Sequence, residues 1–220
     1  MDLEHGLKQV SQQFVPFMFA VIVHEIGHGW VAHWFGDDTA KNSGRLTINP
    51  MAHIDPIGTV LFPVINMVTG IPILIGWAKP VPINPMRFRK YRTGLFWVSL
   101  AGPIANLLMA FASALSLCLL VKLLTPEFFF YKEFGLMLRE GIIINLWLGA
   151  FNLLPIPPLD GSKVIESMLS YPAMQKYEKI APYSFYILLA LMFTGALSLL
   201  AGPIQFMESR LLGLSAILTR

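Results

Sequence analysis

Charged side chains are scarce in this 220-residue chain: only 13% of the residues are Asp, Glu, Lys or Arg. Hydrophobic residues make up 55%, and the mean hydropathy is +0.61. A water-soluble globular protein does not carry so few charges, so the composition indicates a membrane protein. The net charge of +3 has its excess in the segments between apolar runs. That distribution is typical of orientation in a bilayer rather than of nucleic-acid binding, and we expect no nucleic-acid partner.

Cysteine is almost absent as well, since Cys118 is the only one in the chain. A single cysteine excludes an internal disulfide. Because Cys118 lies within a long apolar run, we predict that it is buried and packs as a small hydrophobic residue.

Apolar runs, by contrast, are abundant and long. A helix needs about 20 apolar residues to cross a bilayer. Four runs can do so: residues 14–35, 95–124, 141–159 and 182–202. They predict an all-α, multi-pass integral membrane protein with about four full transmembrane helices. We expect one membrane domain over residues 1–220, with its core at 14–170 and an additional C-terminal helix at 182–202.

The third run cannot remain helical to its end, because it contains Pro155, Pro157 and Pro158. Irregular backbone at membrane depth is tolerated where protein or a water-filled cavity satisfies the freed polar groups. The prolines therefore predict the wall of a cavity.

A fifth apolar run, residues 57–77, has a different character. Asp55 and Pro56 resemble a helix start, but Gly70 and Pro72 interrupt the helix after about a dozen residues, too few for a crossing. Residues 71–81 are rich in isoleucine and favour an extended strand. We predict a re-entrant half-helix followed by a returning strand, with a fifth full span as the alternative.

The basic residues narrowly favour the re-entrant arrangement, because it collects more of the lysines and arginines on one side of the bilayer. The loop of residues 78–94 lies on that side. We therefore predict that this loop is cytoplasmic and that the N-terminus is outside.

The most informative motif is HEIGH, His24 to His28, which lies inside the first apolar run. On a helix, His24 and His28 are one turn apart and face the same way, so their imidazoles can hold one zinc ion. Glu25 can then reach a water on the metal and act as general base. Ionisable groups at membrane depth are costly, and by default they mark a functional site. The motif predicts zinc-dependent hydrolysis within the bilayer.

A catalytic zinc usually takes three protein ligands and a water. Asp160 is the strongest candidate for the third ligand, because it follows a charge-free run and comes just after the prolines of the third span. The alternative is a turn at the membrane surface, in which Asp160 caps the next helix. The sequence leaves both possibilities open, and the incomplete metal site favours the ligand.

Several motifs together resemble the site-2 protease family of intramembrane zinc metalloproteases: HEIGH early in the chain, AGPIAN in the middle and FNLLPIPPLDG later. RLTINPMAHIDPIGT and GWAKPVPINP are similar to its compact, single-domain prokaryotic members. The resemblance implies that His24, His28 and Asp160 bind one Zn2+ per chain and that Glu25 is the catalytic acid and base. It also implies that Asn152 orients the substrate or stabilises the oxyanion.

The resemblance thus implies a zinc metalloendopeptidase in a prokaryotic plasma membrane, which cuts peptide bonds within or near transmembrane segments. Its partners are then a substrate protein with a transmembrane helix and the lipid bilayer, while the oligomeric state is not predicted. Residues 71–81 could pair with an unwound substrate as an added strand.

Two other classes of function remain open at this stage. A metal-ion transporter could use His24, His28 and Asp160 as a permeation site, although transport favours repeated polar sites along several spans. An inactive scaffold could bind transmembrane helices without cutting them, although the intact Glu25 argues against it.

Overall fold

The computed structural model describes residues 3–61 and 79–218 of the chain. Within these residues the α-helices are α1 (Leu3–Trp34), α2 (Thr39–Asn42), α3 (Tyr91–Leu123), α4 (Tyr131–Asn152), α5 (Asp160–Met168), α6 (Tyr171–Glu178), α7 (Ser184–Phe193) and α8 (Ala201–Leu218). Short 3-10 turns and one π-helical turn lie between them, and the described residues contain no strand. The predicted all-α class is confirmed.

Three stretches are long and apolar enough to cross a membrane: Gln12–Trp34 of α1, Tyr91–Leu123 and Tyr131–Asn152. A fourth candidate is bent, because the helical stretches Tyr171–Phe193 and Ala196–Gly213 meet at 76°. The bend falls at Gly195, whose φ of +73° is a left-handed conformation that glycine adopts readily and that ends a helix. The predicted fourth span, residues 182–202, is therefore not one straight helix.

Helix α4 differs in its bounds from the apolar run 141–159 that predicted it. It begins at Tyr131, because the polar residues that precede the run are good helix formers and extend the helix. It ends at Asn152, before the prolines, because Pro155 has no backbone N–H and disfavours helical backbone in the residue before it. The predicted break near the end of the run is confirmed.

Helix α3 is the centre of the bundle and packs against α1, α4 and α5. Its contact with α1 is very close, since a Cβ placed on Gly27 would lie 2.9 Å from the carbonyl oxygen of Ala101. Further along α3, Ala110 packs with Ile142 of α4 in a buried cluster, and Cys118 is buried as predicted. Small residues allow such approach in a lipid environment, where helix association depends on close packing.

The beginning of the predicted re-entrant segment has the expected helix cap. One carboxylate oxygen of Asp55 accepts the N–H groups of Ile57 at 3.0 Å and Gly58 at 2.8 Å, and the helical turn Pro56–Leu61 follows. Most of the run 57–77, and of the predicted strand 71–81, lies outside the described residues, and residues 79–81 are not in a strand. The re-entrant arrangement therefore stays a prediction.

Asp37 joins the end of α1 to the segment that precedes α3. Its buried carboxylate accepts the N–H of Asn84 at 2.6 Å, the N–H of Thr39 at 3.1 Å and the Thr39 hydroxyl. Burial by itself raises the pKa of Asp37, but these hydrogen bonds and the charge of Arg87 outweigh it and hold the pKa below its usual value.

The depressed pKa predicts a pH-dependent contribution of Asp37 to stability. Such a carboxylate stabilises the fold above its unfolded-state pKa, and the contribution is lost as the pH falls through the native pKa. Asp37→Ala should therefore lower the free energy of unfolding at pH 7 by about 1.5–3 kcal/mol, and the deficit should shrink below about pH 4. Thermal unfolding in detergent across this pH range measures it, with the exposed Glu127→Ala as control. A deficit that does not change with pH would contradict the prediction.

Candidate active site

The two histidines of the HEIGH motif lie on one face of α1, and their Nε2 atoms are 3.0 Å apart. Each Nδ1 is engaged elsewhere: that of His24 lies 2.6 Å from Oδ1 of Asn106, and that of His28 lies 2.6 Å from the carbonyl oxygen of Val98. Both partners are acceptors, so each Nδ1 carries the proton and each Nε2 presents its lone pair. Two lone pairs that face each other at this distance are unfavourable unless both bind the same cation.

The carboxylate of Asp160 lies close to both Nε2 atoms. Its Oδ2 lies 3.1 Å from Nε2 of His24, and its Oδ1 lies 3.2 Å from Nε2 of His28. The three residues offer ligand atoms that all lie within 4.8 Å of one another. Oδ2 of Asp160 is buried without a hydrogen-bond partner, which is costly unless a cation binds it. Two imidazoles and a carboxylate are also the donor set of catalytic zinc sites, so the residues fit the metal.

Asp160 owes its position to the turn that follows α4. Helix α5 begins at Asp160 and its N-cap is Leu159, so the alternative in which Asp160 caps the helix is not what the structure contains. A Cβ on Gly161 would lie 2.2 Å from the carbonyl oxygen of Leu153, so only glycine fits between the turn and the helix. Because the chain packs tightly at this turn, Asp160, the first residue of α5, lies against α1.

Glu25 and Asn152 share a cavity of about 470 Å³ with the three possible ligands. One carboxylate oxygen of Glu25, Oε2, accepts the backbone N–H of Val81 at 2.8 Å. The side-chain amide of Asn152 donates to the carbonyl oxygen of Leu148 at 3.0 Å, so one of its two N–H groups is used within α4. Pro158 also lines the cavity, which confirms the predicted cavity wall. The structure thus brings every predicted site residue to one place.

Comparison with known proteins identifies the family. Residues 132–195 match Peptidase family M50. YwhC of Bacillus subtilis (strain 168), named as a candidate zinc metalloprotease, is 38% identical over 196 residues, which cover 87% of this chain and 84% of YwhC. The chain belongs to peptidase family M50, the site-2 protease family. It is accordingly a zinc metalloprotease, and its apolar helices make it an integral membrane protein.

Relatives of lower identity are longer than this chain. Rip2 of Mycolicibacterium smegmatis (strain ATCC 700084 / mc(2)155), also named as a candidate zinc metalloprotease, is 29% identical over 186 residues, or 83% of this chain and 66% of Rip2. The zinc metalloprotease MJ0392 of Methanocaldococcus jannaschii is 25% identical over 158 residues, or 71% of this chain and 34% of that protein. No solved structure gives a significant match.

The AGPIAN motif of this M50 protease contributes a glycine that leaves room for the imidazoles of His24 and His28. A Cβ on Gly102 would lie 2.4 Å from Nε2 of His28 and 2.6 Å from Nε2 of His24. Helix α3 therefore packs its bare backbone against the imidazoles, where any side chain would displace the ligand atoms.

Gly102→Ala should therefore abolish stoichiometric zinc binding, because the added methyl group occupies the space of the two Nε2 atoms. The matched control is Gly202→Ala, which changes the same residue in the second Ala-Gly-Pro-Ile sequence, where a Cβ meets nothing within 4 Å. Metal analysis of the two purified variants measures the difference. Equal zinc content in both would show that the contact at Gly102 is unimportant.

A buried chain of amides contacts Nδ1 of His24, and the sequence contains only a partial signal for it. Asn106 donates to the carbonyl oxygen of Ala20 at 3.0 Å and to Oδ1 of Asn145 at 2.9 Å, and Asn145 donates to the carbonyl oxygen of Gly141 at 2.8 Å. Asparagines in apolar helices predict hydrogen bonds between helices, because an unpaired amide is costly there. The contact of Asn106 with an imidazole was not predicted.

Asn106→Leu should weaken zinc binding by about 10- to 100-fold, because it removes the acceptor that orients His24 and fixes its tautomer. Competition with a chelator on purified protein measures the affinity. Asn145→Leu is the control: it breaks the same amide chain at a residue that does not touch His24, so its effect should be clearly smaller. Equal affinities of both variants and wild type would argue against this role of Asn106.

An ion pair in the cavity was also missed by the sequence analysis. The ammonium of Lys163 lies 2.7 Å from Oε2 of Glu166, and the Glu166 side chain is almost fully buried. Both residues line the cavity that contains the possible metal ligands. Their spacing of three residues on α5 is a signal for a helical ion pair, but not for its location.

Proposed function

We propose that this chain is an intramembrane protease, which hydrolyses peptide bonds within or near transmembrane segments of membrane-protein substrates in a prokaryotic plasma membrane. The observation that carries the proposal is the position of the site. His24, Glu25 and His28 all lie within the candidate span Gln12–Trp34, and they line a cavity. A hydrolytic centre inside a transmembrane helix is suited to a substrate that also lies in the bilayer.

In this proposal His24, His28 and Asp160 hold one zinc ion per chain. A zinc ion held by these residues would supply Lewis acidity, which lowers the pKa of water towards about 7 and favours attack on a peptide carbonyl. Glu25 takes a proton from the attacking water and then delivers it to the leaving amine. The Asn152 side chain lines the same cavity and would orient the substrate backbone or stabilise the oxyanion.

The substrate helix must unwind locally before it is cut, because its scissile carbonyl is otherwise hydrogen-bonded within the helix. The cavity, about 470 Å³ in volume, accommodates a few residues of extended chain rather than a complete helix. Strand pairing with residues 71–81 remains our proposal for holding the opened segment.

The same geometry gives less support to the two alternatives. Transport through the protein favours several polar sites along the spans. In the described residues, His24, His28 and Asp160 form the one cluster of His, Cys, Asp and Glu side chains with ligand geometry. Glu25 lies in a cavity beside that cluster. An inactive scaffold does not require this arrangement, so the position of Glu25 favours a protease.

Cleavage of a test substrate with one transmembrane helix, by wild type and by Glu25→Gln in reconstituted vesicles, separates these functions. Wild type should cut, and the variant should cut about 10²- to 10⁴-fold more slowly, because Gln cannot accept the proton. Both should contain equal amounts of zinc. Glu127→Gln, an exposed exchange of the same kind, should match wild type. Undiminished cutting by Glu25→Gln would falsify the role of Glu25, and zinc transport without cutting would favour the transporter.

A further inference from the structure

We propose that the backbone N–H of Val81 is a positioning group for the catalytic carboxylate. It donates to Oε2 of Glu25 at 2.8 Å. This contact fixes one oxygen of the carboxylate and leaves Oε1 to exchange protons with the water and the leaving amine. The inference rests on the proposed function, because it assumes that Glu25 is the acid and base of the reaction.

The segment that contains Val81 is anchored on both sides of this contact. The N–H of Lys79 donates to the carbonyl oxygen of His53 at 2.8 Å, and the N–H of Asn84 donates to the Asp37 carboxylate at 2.6 Å. The amide of Val81 is thus held between two fixed points, rather than presented by a free loop.

The prolines around Val81 make its amide the local hydrogen-bond donor. Pro80 and Pro82 have no backbone N–H, so within this tripeptide only Val81 can donate to a carboxylate. Their rings also fix φ at both neighbouring positions, which reduces the number of backbone conformations that the segment can adopt. The donor is therefore preorganised before Glu25 contacts it.

Packing against α1 brings the amide within reach of Glu25. The Val81 side chain is buried, and a Cβ on Gly29 would lie 3.1 Å from its Cγ1. The second glycine after Glu25 in the chain, at position 29, thus leaves room for the segment in the same way that Gly27 leaves room for α3. The Val81 side chain thus packs on α1 at Gly29, one helical turn after Glu25, and its N–H reaches the Glu25 carboxylate.

A hydrogen bond to a carboxylate is stronger than one between neutral groups, and it restricts a side chain that has three rotatable bonds. Such restriction matters in catalysis, because the reacting oxygen must remain in line with the proton that it transfers. Loss of one hydrogen bond to a charged group corresponds to about 10- to 100-fold in rate when the bond serves the reaction.

The test replaces Val81 by its α-hydroxy acid analogue, so that the backbone amide becomes an ester and the valine side chain is kept. The variant should show a kcat about 10- to 100-fold lower, with KM within about twofold of wild type and the same zinc content per chain. The KM-against-kcat split separates positioning of Glu25 from a general loss of structure.

The matched control is the same amide-to-ester exchange at Asn84. It removes an equally short hydrogen bond from the same segment, but the acceptor is Asp37, which lies outside the cavity lining. This ester should lower the thermal stability and reduce kcat clearly less than the Val81 ester does, because it keeps the N–H that contacts Glu25. An equal fall in kcat for both esters would overturn the inference, as would loss of zinc from the Val81 ester.

The outcomes distinguish this inference from the proposed function. If wild type cuts, Glu25→Gln does not, and the Val81 ester cuts at the wild-type rate, then the inference about Val81 is wrong and the proposed function stands. If Glu25→Gln cuts as well as wild type does, or if wild type does not cut, both are wrong.

Discussion

The structure depends on the close approach of three possible metal-ligand atoms. No hydrogen bond between these atoms explains why they lie together. The Nε2 atoms of His24 and His28 face each other at 3.0 Å with their lone pairs, and a buried oxygen of Asp160 beside them has no hydrogen-bond partner. Desolvated acceptors in such an arrangement are costly unless they share a cation. The surrounding helices must therefore hold these atoms together, and a bound cation would offset the cost of bringing them close.

Helix α3 provides most of that restraint. It presents bare backbone to the imidazoles at Gly102, and it supplies both acceptors for their Nδ1 protons, through Asn106 and the carbonyl oxygen of Val98. These acceptors decide which nitrogen carries the proton, so they determine that the lone pairs point at the metal position. Asn106 in turn is held by Asn145 of α4. The possible metal site thus depends on the packing of four helices, α1, α3, α4 and α5, rather than on the HEIGH motif alone.

The sequence predicted the chemistry of the site better than the shape of the bundle. The spacing of His24 and His28 placed both on one helix face, and the charge-free run before Asp160 made it the third candidate. The bounds of α4 and the bend at Gly195 were not predictable from apolar runs, because polar residues continue α4 and a single left-handed residue divides the last span. The contact of Val81 has no residue-type signal at all, because its donor is a backbone amide.

The cavity has two kinds of wall, and this division bears on how a hydrolase works in lipid. Val81, Phe88 and Leu95 form an apolar wall, whereas α5 contributes the charged pair Lys163 and Glu166 beside Asp160. Helix α5 is short and polar, and it is not among the candidate spans. A buried carboxylate such as Glu166 is tolerated because its ammonium partner is near. The proline break after α4 thus has two consequences: it brings Asp160 beside His24 and His28, and it places the polar helix α5 along the cavity. In the function that we propose, the apolar side chains of the cavity would contact those of the transmembrane substrate.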